Sequence, residues 1–142
     1  MKVKIKKLHI DAKVPTYGTE EAACFDICAL HDGYVQYHYA TTFSTGLAFE
    51  IPKGYAMLLY PRSGLAFKYG LRLANSVAVI DADYRGELLI RLHNDAYLGF
   101  RVRAGDRIAQ ARIEKVEKVE FELAEELSVT ERGQGGIGST GL

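Results

Sequence analysis

The sequence has no apolar run that approaches the ~20 residues that a membrane-spanning helix requires. Residues 1–7 alternate lysine with apolar side chains, so they also lack the continuous apolar core of a secretory signal peptide. These absences argue against a membrane protein and predict a cytoplasmic protein of bacterial or viral origin. With 142 residues, the chain is expected to fold as one domain around one core.

The sequence also lacks a surplus of charge, because 18 basic and 18 acidic side chains give a formal net charge of zero. Binding to nucleic acid without sequence preference requires surplus positive charge to neutralise phosphates, so direct nucleic-acid binding is not expected. A local surplus near the N-terminus is interpreted as an edge strand protected by lysines. These lysines are Lys2, Lys4, Lys6, Lys7 and Lys13.

Cysteine is scarce, with only Cys24 and Cys28 in the chain. In an extended strand these two residues would lie ~13 Å apart, which is too far for a disulfide. Without a second pair of cysteines they do not form a zinc site either. Buried free thiols in a reducing compartment are therefore predicted.

Helical periodicity is nearly absent, and short runs of alternating or β-branched residues take its place. Turn signals separate these runs at intervals of roughly 8–12 residues, which is typical of a β-sandwich or barrel. One short helix is expected at residues 63–69. The fold class is therefore predicted to be all-β, a single-domain β-sandwich or jelly-roll-like barrel. Predicted strands cover residues 2–10, 34–39, 41–51, 55–60, 88–93, 101–102, 107–113 and 116–124.

The central segment places carboxylates and an aromatic ring in a short turn. An apolar run at residues 77–80 leads into Asp81, and a second apolar run at residues 88–90 follows a polar stretch. This pattern predicts a β-hairpin. A carboxylate three residues before Tyr84 would be rigidly placed beside a ring, which suits an acid or base. The alternative is that Asp81 and Asp83 only make the turn, because Asp is common there.

Residues 61–64, PRSG, follow a predicted strand and begin the predicted helix. Ser63 is a good N-cap residue, and a helix N-terminus offers free N–H groups to an anion. The planar guanidinium of Arg62 suits phosphate oxygens. The alternative is a capped turn with a surface arginine.

Two further stretches are ambiguous when each is taken alone. Asp26 is a lone carboxylate in an apolar segment, so it is expected to be hydrogen-bonded or close to a cation. Residues 105–110, GDRIAQ, begin another predicted strand. There, Asp106 and Arg107 are predicted to form an ion pair in a turn, and Gln110 is predicted to point outward.

The composition changes at residue 131. Residues 132–141, RGQGGIGSTG, contain five glycines and almost no apolar side chains. Such a segment cannot bury enough apolar surface to order by itself, which predicts a domain at residues 1–130 and a flexible arm at residues 131–142. One alternative is a terminus without function. The other is an arm that orders over an anion, since its backbone N–H groups, Arg132 and its hydroxyls can donate to phosphate.

Four of these stretches occur together in the order and spacing of one family. They are residues 61–64, residues 79–86 (VIDADYRG), residues 105–110 and the tail at residues 132–141. Over essentially its full length, the chain resembles the trimeric deoxyuridine triphosphatases, which hydrolyse dUTP to dUMP and pyrophosphate. The resemblance implies a homotrimer with shared active sites. It also implies an activity that limits uracil in DNA and supplies dUMP for dTMP synthesis.

The resemblance assigns roles at the nucleoside end of the substrate. Asp81 corresponds to the general base that deprotonates the water attacking the α-phosphorus. Tyr84 is similar to the ring that stacks under deoxyribose and leaves no room for a 2′-hydroxyl. Asn75 is similar to the position where a hairpin reads the uracil edge, and Val79 is also expected to contact substrate.

At the phosphate end, the resemblance implies that Arg62, Ser63 and Gly64 bind phosphate, with Ser63 near the α–β bridging oxygen. Gln110 matches a catalytic contact to phosphate or water. Asp26 matches the carboxylate that holds a Mg²⁺-bound water, which makes Mg²⁺ the expected cofactor. The arm residues expected to close over the substrate are Arg132, Ile137, Gly138, Ser139 and Thr140.

Three positions depart from the family pattern. Ile137 replaces the phenylalanine that usually stacks on uracil. The base would then be covered by apolar contact without aromatic stacking, which is worth ~1–3 kcal/mol per base in nucleic-acid binders. Cys24 and Ala78 each stand where glycine is common in the family.

Three alternative functions have different signatures. The related deoxycytidine triphosphate deaminases share the fold but need a glutamate ten residues after the Asp81 position, where this chain has Arg91. A cation cannot serve as that acid/base. A nucleotide-binding regulatory protein is a second alternative, and a dual role stays open although the intact Asp81 argues for catalysis. A structural jelly-roll subunit is the third, and the glycine-rich arm with Arg132 argues against it.

Overall fold

The computed structural model describes residues 1–137 and residue 139. Nearly all of the regular structure in this part of the chain is extended, which confirms the all-β prediction. One helix, α1 (Ser63–Tyr69), lies between the sixth and seventh strands. The strands are β1 (Lys4–Lys7), β2 (Thr16–Tyr17), β3 (Phe25–Cys28), β4 (Gly33–Val35), β5 (Ala40–Glu50), β6 (Tyr55–Tyr60), β7 (Leu71–Leu73), β8 (Ala78–Ile80), β9 (Glu87–Asn94), β10 (Phe100–Val102) and β11 (Arg107–Lys115).

The strands form antiparallel sheets that share one core. A four-stranded sheet has the order β1-β5-β9-β7, and a five-stranded sheet has the order β2-β3-β11-β6-β8. β4 and β10 form a two-stranded ribbon. Over residues 1–137 the sheets keep free edges and do not close into a barrel, so the sandwich form of the prediction is the one that the structure adopts.

Alternation along the strands builds the core. On β9, Leu88, Ile90 and Leu92 are each 1% exposed, whereas Leu89 between them is half exposed. On the other sheet, Met57 of β6 is fully buried and belongs to the same apolar cluster. Side chains of a strand point alternately to opposite faces, so each sheet presents one apolar face to the other.

The predicted hairpin around Asp81 is wrong. β8 pairs with β6 in the five-stranded sheet, whereas β9 pairs with β5 and β7 in the four-stranded sheet. The turn at residues 81–86 therefore crosses between the two layers. Two apolar runs joined by a short turn are compatible with a hairpin within one sheet and with a connection between two sheets. The local pattern does not indicate which sheet each strand joins.

The predicted strand at residues 116–124 is also absent. Residues 116–130 contain no strand, and the apolar Phe121 and Leu123 are 91% and 102% exposed. The strand predicted at residues 34–39 is limited to β4, and Tyr37 lies exposed beyond its end. At residues 36–39 and 116–124 the period-2 pattern is present without a neighbouring strand among the described residues.

The helix α1 begins without the predicted cap. Arg62 occupies the N-cap position with extended backbone, and Ser63 is already helical, with no side-chain capping bond. Gly70, at φ 65°, ends the helix through N–H bonds to the carbonyls of Ala66 and Leu65. In the described part of the chain, no helix is long and apolar enough to cross a membrane.

One smaller prediction is confirmed, and another is confirmed in part. β1 lies at the edge of its sheet with its lysines exposed, as expected for a protected edge strand. Cys24 and Cys28 are free, as predicted, but they are only partly buried. Burial raises the pKa of both thiols.

Candidate active site

One group of predicted residues meets at a single buried carboxylate, which we call the Asp26 cluster (Asp26, Arg62, Arg107 and Gln110). The Asp26 side chain is only 13% exposed. Its Oδ1 lies 2.9 Å from Arg62 Nε in an ion pair, and its Oδ2 accepts from Arg107 Nη1 at 3.2 Å. The expectation that Asp26 lies close to a cation is therefore confirmed, and it lies close to two.

Strand order brings this cluster together. β11 lies between β3 and β6, and Gln110 on β11 is opposite both Asp26 on β3 and Tyr60 on β6. Gln110 Nε2 donates to the carbonyl oxygen of Pro61 at 2.9 Å, and Arg62 Nη1 donates to the Arg107 carbonyl at 3.1 Å. The turn that carries Arg62 is thus fixed by contacts to a neighbouring strand.

The Asp26 cluster has an excess of positive charge next to exposed donors. Two guanidinium groups face one carboxylate, and Arg107 is 55% exposed. Ser63 and Gly64 are exposed directly after Arg62. The arrangement offers a cationic, hydrogen-bonding surface of the kind that binds phosphate oxygens.

The predicted ion pair between Asp106 and Arg107 is wrong. Asp106 Oδ2 accepts from the backbone N–H of Arg103 at 2.8 Å, which closes the turn before β11. Arg107 extends to Asp26 instead, 81 residues away in the sequence. Sequence analysis missed this role because strand pairing decides it.

The second group lies in the Asp81 turn, by which we mean residues 81–86. Asp81 is exposed, and its carbonyl accepts from the Tyr84 N–H at 3.2 Å. Arg85 Nη1 donates to the carbonyls of Ala82 and Tyr84 at 2.6 and 2.9 Å. Asp81 lines an open cavity of about 670 Å³ whose wall includes Lys53. The turn therefore exposes the Asp81 carboxylate to solvent, and the Arg85 side chain stabilises the backbone of the turn.

Tyr84 lies on the same turn and is partly exposed. Its hydroxyl donates to the Glu87 carbonyl at 2.9 Å, and the residue is 44% exposed. The Glu87 carboxylate accepts from the Gly46 N–H on β5 at 2.7 Å. Glu87 was not singled out by the sequence, because its role depends on contact with a bulge in a distant strand.

β6 shows how far apart the two groups lie within one chain. Ile80 on β8 lies opposite Met57, which places Asp81 level with the start of β6. Arg62 follows the other end of β6, so about five or six extended residues, or roughly 16–20 Å, separate the two positions. Arg62 also extends toward β3, on the side of β6 that is opposite to β8. The structure therefore does not bring Asp81 to the Asp26 cluster.

The remaining predicted residues are exposed in other segments. Asn75 lies between β7 and β8, and Val79 on β8 is 58% exposed. In the tail, Arg132 Nε donates to the Gly135 carbonyl at 2.9 Å, and Ile137 is fully exposed. Ser139 is also exposed, whereas Gly138 and Thr140 lie outside the described residues.

The donor set around Asp26 fits a weakly held divalent cation. No group of three or more His, Cys, Asp or Glu side chains that could hold a metal occurs within residues 1–137 and 139. A carboxylate has about four lone-pair positions, and the two arginines use two of them, so Asp26 can still accept from water. Mg²⁺ keeps several waters and takes few protein ligands, so an outer-sphere role for Asp26 is chemically consistent.

Comparison with known proteins agrees with the motifs. The dUTPase family pattern matches residues 11–141. The chain belongs to the dUTPase family. A relative named deoxyuridine 5'-triphosphate nucleotidohydrolase, from Nautilia profundicola, is 48% identical over 99% of both chains.

Solved structures of this family share the fold. A Staphylococcus bacteriophage 80alpha dUTPase, a G164S mutant with dUpNHpp, is 28% identical with a TM-score of 0.92 over 99% of both chains. A dUTPase from phage phi11 of S. aureus, at 24% identity, has a TM-score of 0.82 over 89% of this chain and 98% of its own. The description of that phage structure refers to the coordination of a structural Mg(II) ion.

Proposed function

We propose that this dUTPase-family chain hydrolyses dUTP to dUMP and pyrophosphate, with Asp81 as the general base. The observation that carries the proposal is the Asp81 turn, which holds an exposed carboxylate and a partly exposed tyrosine ring on one segment. A relative named as a nucleotidohydrolase and a phage neighbour with dUpNHpp support this substrate.

In the proposed reaction, Asp81 accepts a proton from a water molecule, and the oxygen of that water attacks the α-phosphorus. The bond between the α-phosphorus and the α–β bridging oxygen breaks, and the pyrophosphate leaves with the bonding electron pair. Ser63 donates toward that bridging oxygen, and Gln110 orients water or phosphate. A positioned base contributes about 10²–10⁴-fold to the rate.

The phosphate chain is bound by the Asp26 cluster and the residues that follow it. Arg62, Ser63 and Gly64 bind the phosphates, since a triphosphate carries three to four negative charges that fixed donors must offset. The arm closes over them and excludes water. The arm residues in this proposal are Arg132, Ile137, Gly138, Ser139 and Thr140.

The nucleoside lies against the Asp81 turn and the segment before β8. Tyr84 packs under the deoxyribose and excludes a 2′-hydroxyl, while Asn75 and Val79 contact the uracil side. Ile137 covers the base by apolar contact. A site that rejects one hydroxyl by shape needs a ring that cannot move, which agrees with the hydrogen bond that holds Tyr84.

Mg²⁺ is the proposed cofactor, with Asp26 as the residue that holds it through water. When bound, the ion neutralises charge on the phosphates as the pyrophosphate leaves. Asp26 keeps the two arginines oriented and leaves lone pairs for water, as its contacts allow.

The proposed assembly is a homotrimer with shared active sites. Asp81 and Arg62 lie roughly 16–20 Å apart at opposite ends of β6, which is too far for one triphosphate site in one chain. Phe121 and Leu123 are also almost fully exposed, and a second copy would cover them. Three such sites would limit uracil in DNA and supply dUMP for dTMP synthesis.

The test is a nucleotide panel of dUTP, UTP, dCTP and dTTP, each with and without Mg²⁺. Pyrophosphate release from dUTP alone, greatest with Mg²⁺, is expected. Ammonia is measured in parallel, because its release from dCTP would instead indicate a deaminase. Hydrolysis of all four nucleotides at similar rates would contradict the proposed site.

A further inference from the structure

The Asp81 turn holds the ring of Tyr84 at three points. The Tyr84 N–H donates to the Asp81 carbonyl at 3.2 Å, the hydroxyl donates to the Glu87 carbonyl at 2.9 Å, and the ring edge lies against Gly86. The residue is 44% exposed, so part of the ring remains accessible to solvent. A ring that is held in place and partly accessible is a rigid surface against which a sugar can pack.

Gly86 leaves room for the ring. Its φ lies outside the left-handed region that favours glycine, so a positive φ does not explain the glycine. A Cβ built on Gly86 would lie 2.6 Å from Tyr84 Cζ and 2.9 Å from Cε2, and closer still to the hydroxyl oxygen. Such contacts are far inside van der Waals distance, so a side chain at residue 86 would displace the ring.

The partner of the Tyr84 hydroxyl is itself anchored. Glu87 belongs to β9, and its carboxylate accepts from the Gly46 N–H on β5 at 2.7 Å. The carbonyl that receives the Tyr84 hydroxyl therefore cannot follow the ring if the ring is displaced. Displacement by a new side chain would break the hydrogen bond and leave the backbone of the two sheets in place.

We infer that Gly86 is a specificity-determining residue, which acts by letting the Tyr84 ring reach the position that excludes a 2′-hydroxyl. The inference rests on the proposed role of Tyr84 under the deoxyribose. Gly86 touches the ring and not the substrate, so it is a positioning residue. A side chain at residue 86 is therefore expected to lower the preference for dUTP over UTP without changing the chemical step at the α-phosphorus.

The experiment compares kcat/KM for dUTP and UTP in wild type and in Gly86→Ala. The expected result is a fall in the dUTP-to-UTP ratio of about 10–100-fold, the scale on which a hydrophobic site discriminates one small group. Gly18→Ala is the matched control, because a Cβ there meets nothing within 4 Å and its φ is not positive. That control should keep the wild-type ratio.

A double-mutant cycle shows whether Gly86 acts through the ring. In a Tyr84→Ala background, Gly86→Ala should change the ratio no further, since the ring it displaces is gone. If Gly86→Ala does not fold, Tyr84→Phe decides, because it removes only the hydroxyl bond and should lower the ratio by a few-fold. A wild-type ratio in Gly86→Ala, or in Tyr84→Phe where Gly86→Ala is unfolded, overturns the inference. An additive loss in the cycle overturns it as well.

Failure of the proposed function looks different. Wild type would then not hydrolyse dUTP, or would accept UTP equally well. If Tyr84→Ala also kept the ratio, the sugar-excluding role of Tyr84 would be wrong. The inference about Gly86 is rejected on its own when Tyr84→Ala loses discrimination and Gly86→Ala retains it.

Discussion

The Asp81 turn is built by one continuous segment, whereas the Asp26 cluster is built by three strands that are distant in the sequence. In the turn, Tyr84 and Arg85 bond to backbone groups within three residues. In the cluster, Asp26 contacts Arg62 and Arg107, and the second contact spans 81 positions. The same protein therefore positions its proposed base locally and its proposed phosphate ligands through sheet topology.

The two regions also differ in burial, and this difference agrees with their proposed tasks. Asp81 is exposed, which suits a base that must meet water and substrate. Asp26 is 13% exposed and paired with two arginines, so its charge is offset by neighbours. A paired and largely buried carboxylate orients the neighbouring cations, while an exposed carboxylate outside these ion pairs is available for proton transfer.

The largest expected effect tests the base in the Asp81 turn. Asp81→Asn should lower kcat for dUTP by about 10²–10⁴-fold, because an amide cannot accept the proton from water. Binding of dUpNHpp, measured by calorimetry, should change little. Asp83→Asn on the same turn is the control and should keep near-normal kcat. Full turnover in Asp81→Asn would remove the proposed base.

A mixing experiment tests whether the two regions serve one site from different subunits. Arg62→Ala and Asp81→Asn should each be nearly inactive alone. After refolding together, random trimers should regain about a quarter of wild-type activity, since half of the protomers keep each required residue. Activity is measured as pyrophosphate released from dUTP.

The control for this experiment pairs two defects in one region. Asp81→Asn mixed with Tyr84→Ala should show no more activity than the Tyr84→Ala protomers contribute alone, because both residues come from the same turn and no mixed site regains an intact one. No recovery in the Arg62→Ala and Asp81→Asn mixture, with trimers verified by light scattering, would place both regions in one subunit's site.

Much of the fold could be predicted because alternation reports burial. The predicted strand at residues 55–60 coincides with β6, and the prediction at residues 41–51 differs from β5 by one residue at each end. The same pattern misled at Phe121 and Leu123, where apolar side chains alternate but lie exposed. Alternation indicates that one face of a segment is apolar, but it does not indicate which chain packs against that face.

The site was predictable only where its contacts are local. Residues 79–86 and 61–64 indicated chemistry because residue types and spacing stay together along the chain. The partnership of Arg107 with Asp26 was missed, because strand order places Arg107 there. The hairpin was wrong for the same reason, since no residue in the turn specifies that β8 and β9 join different sheets.

A substitution with a smaller expected effect tests whether Asp26 organises the Asp26 cluster. Asp26→Asn should lower stability by about 2–4 kcal/mol in urea unfolding, because it removes the negative charge between two arginines, one of which is half exposed. The KM for dUTP should rise as Arg62 loses its orientation. Asp32→Asn is the matched control, since Asp32 pairs with Arg101 on the surface and an amide oxygen can still accept from the Ala104 N–H, so the loss of stability should be much smaller. Equal behaviour of the two variants would show that the cluster is not organised by Asp26.

A substitution in the tail is expected to improve substrate binding, whereas the other variants are expected to lower activity or stability. Ile137→Phe should lower the KM for dUTP by a few-fold or more, because stacking on a base is worth ~1–3 kcal/mol. Val129→Phe adds the same ring at another fully exposed position and should leave the KM unchanged. An unchanged KM in Ile137→Phe would mean that residue 137 does not cover the base.

The smallest expected effect tests whether the Asp81 turn is as self-contained as its internal bonds suggest. The residue that follows the turn, Glu87, is tied to the neighbouring strand β5, because its carboxylate accepts from the Gly46 N–H at 2.7 Å. Glu87→Ala should cost about 1–2 kcal/mol of stability, since it leaves that N–H unpaired in a half-buried place, whereas Glu87→Gln keeps an acceptor and should cost less. If Glu87→Ala also lowers the dUTP-to-UTP ratio, the turn depends on β5 for its position. If stability falls while the ratio stays constant, the geometry of Tyr84 does not depend on the bond between Glu87 and Gly46.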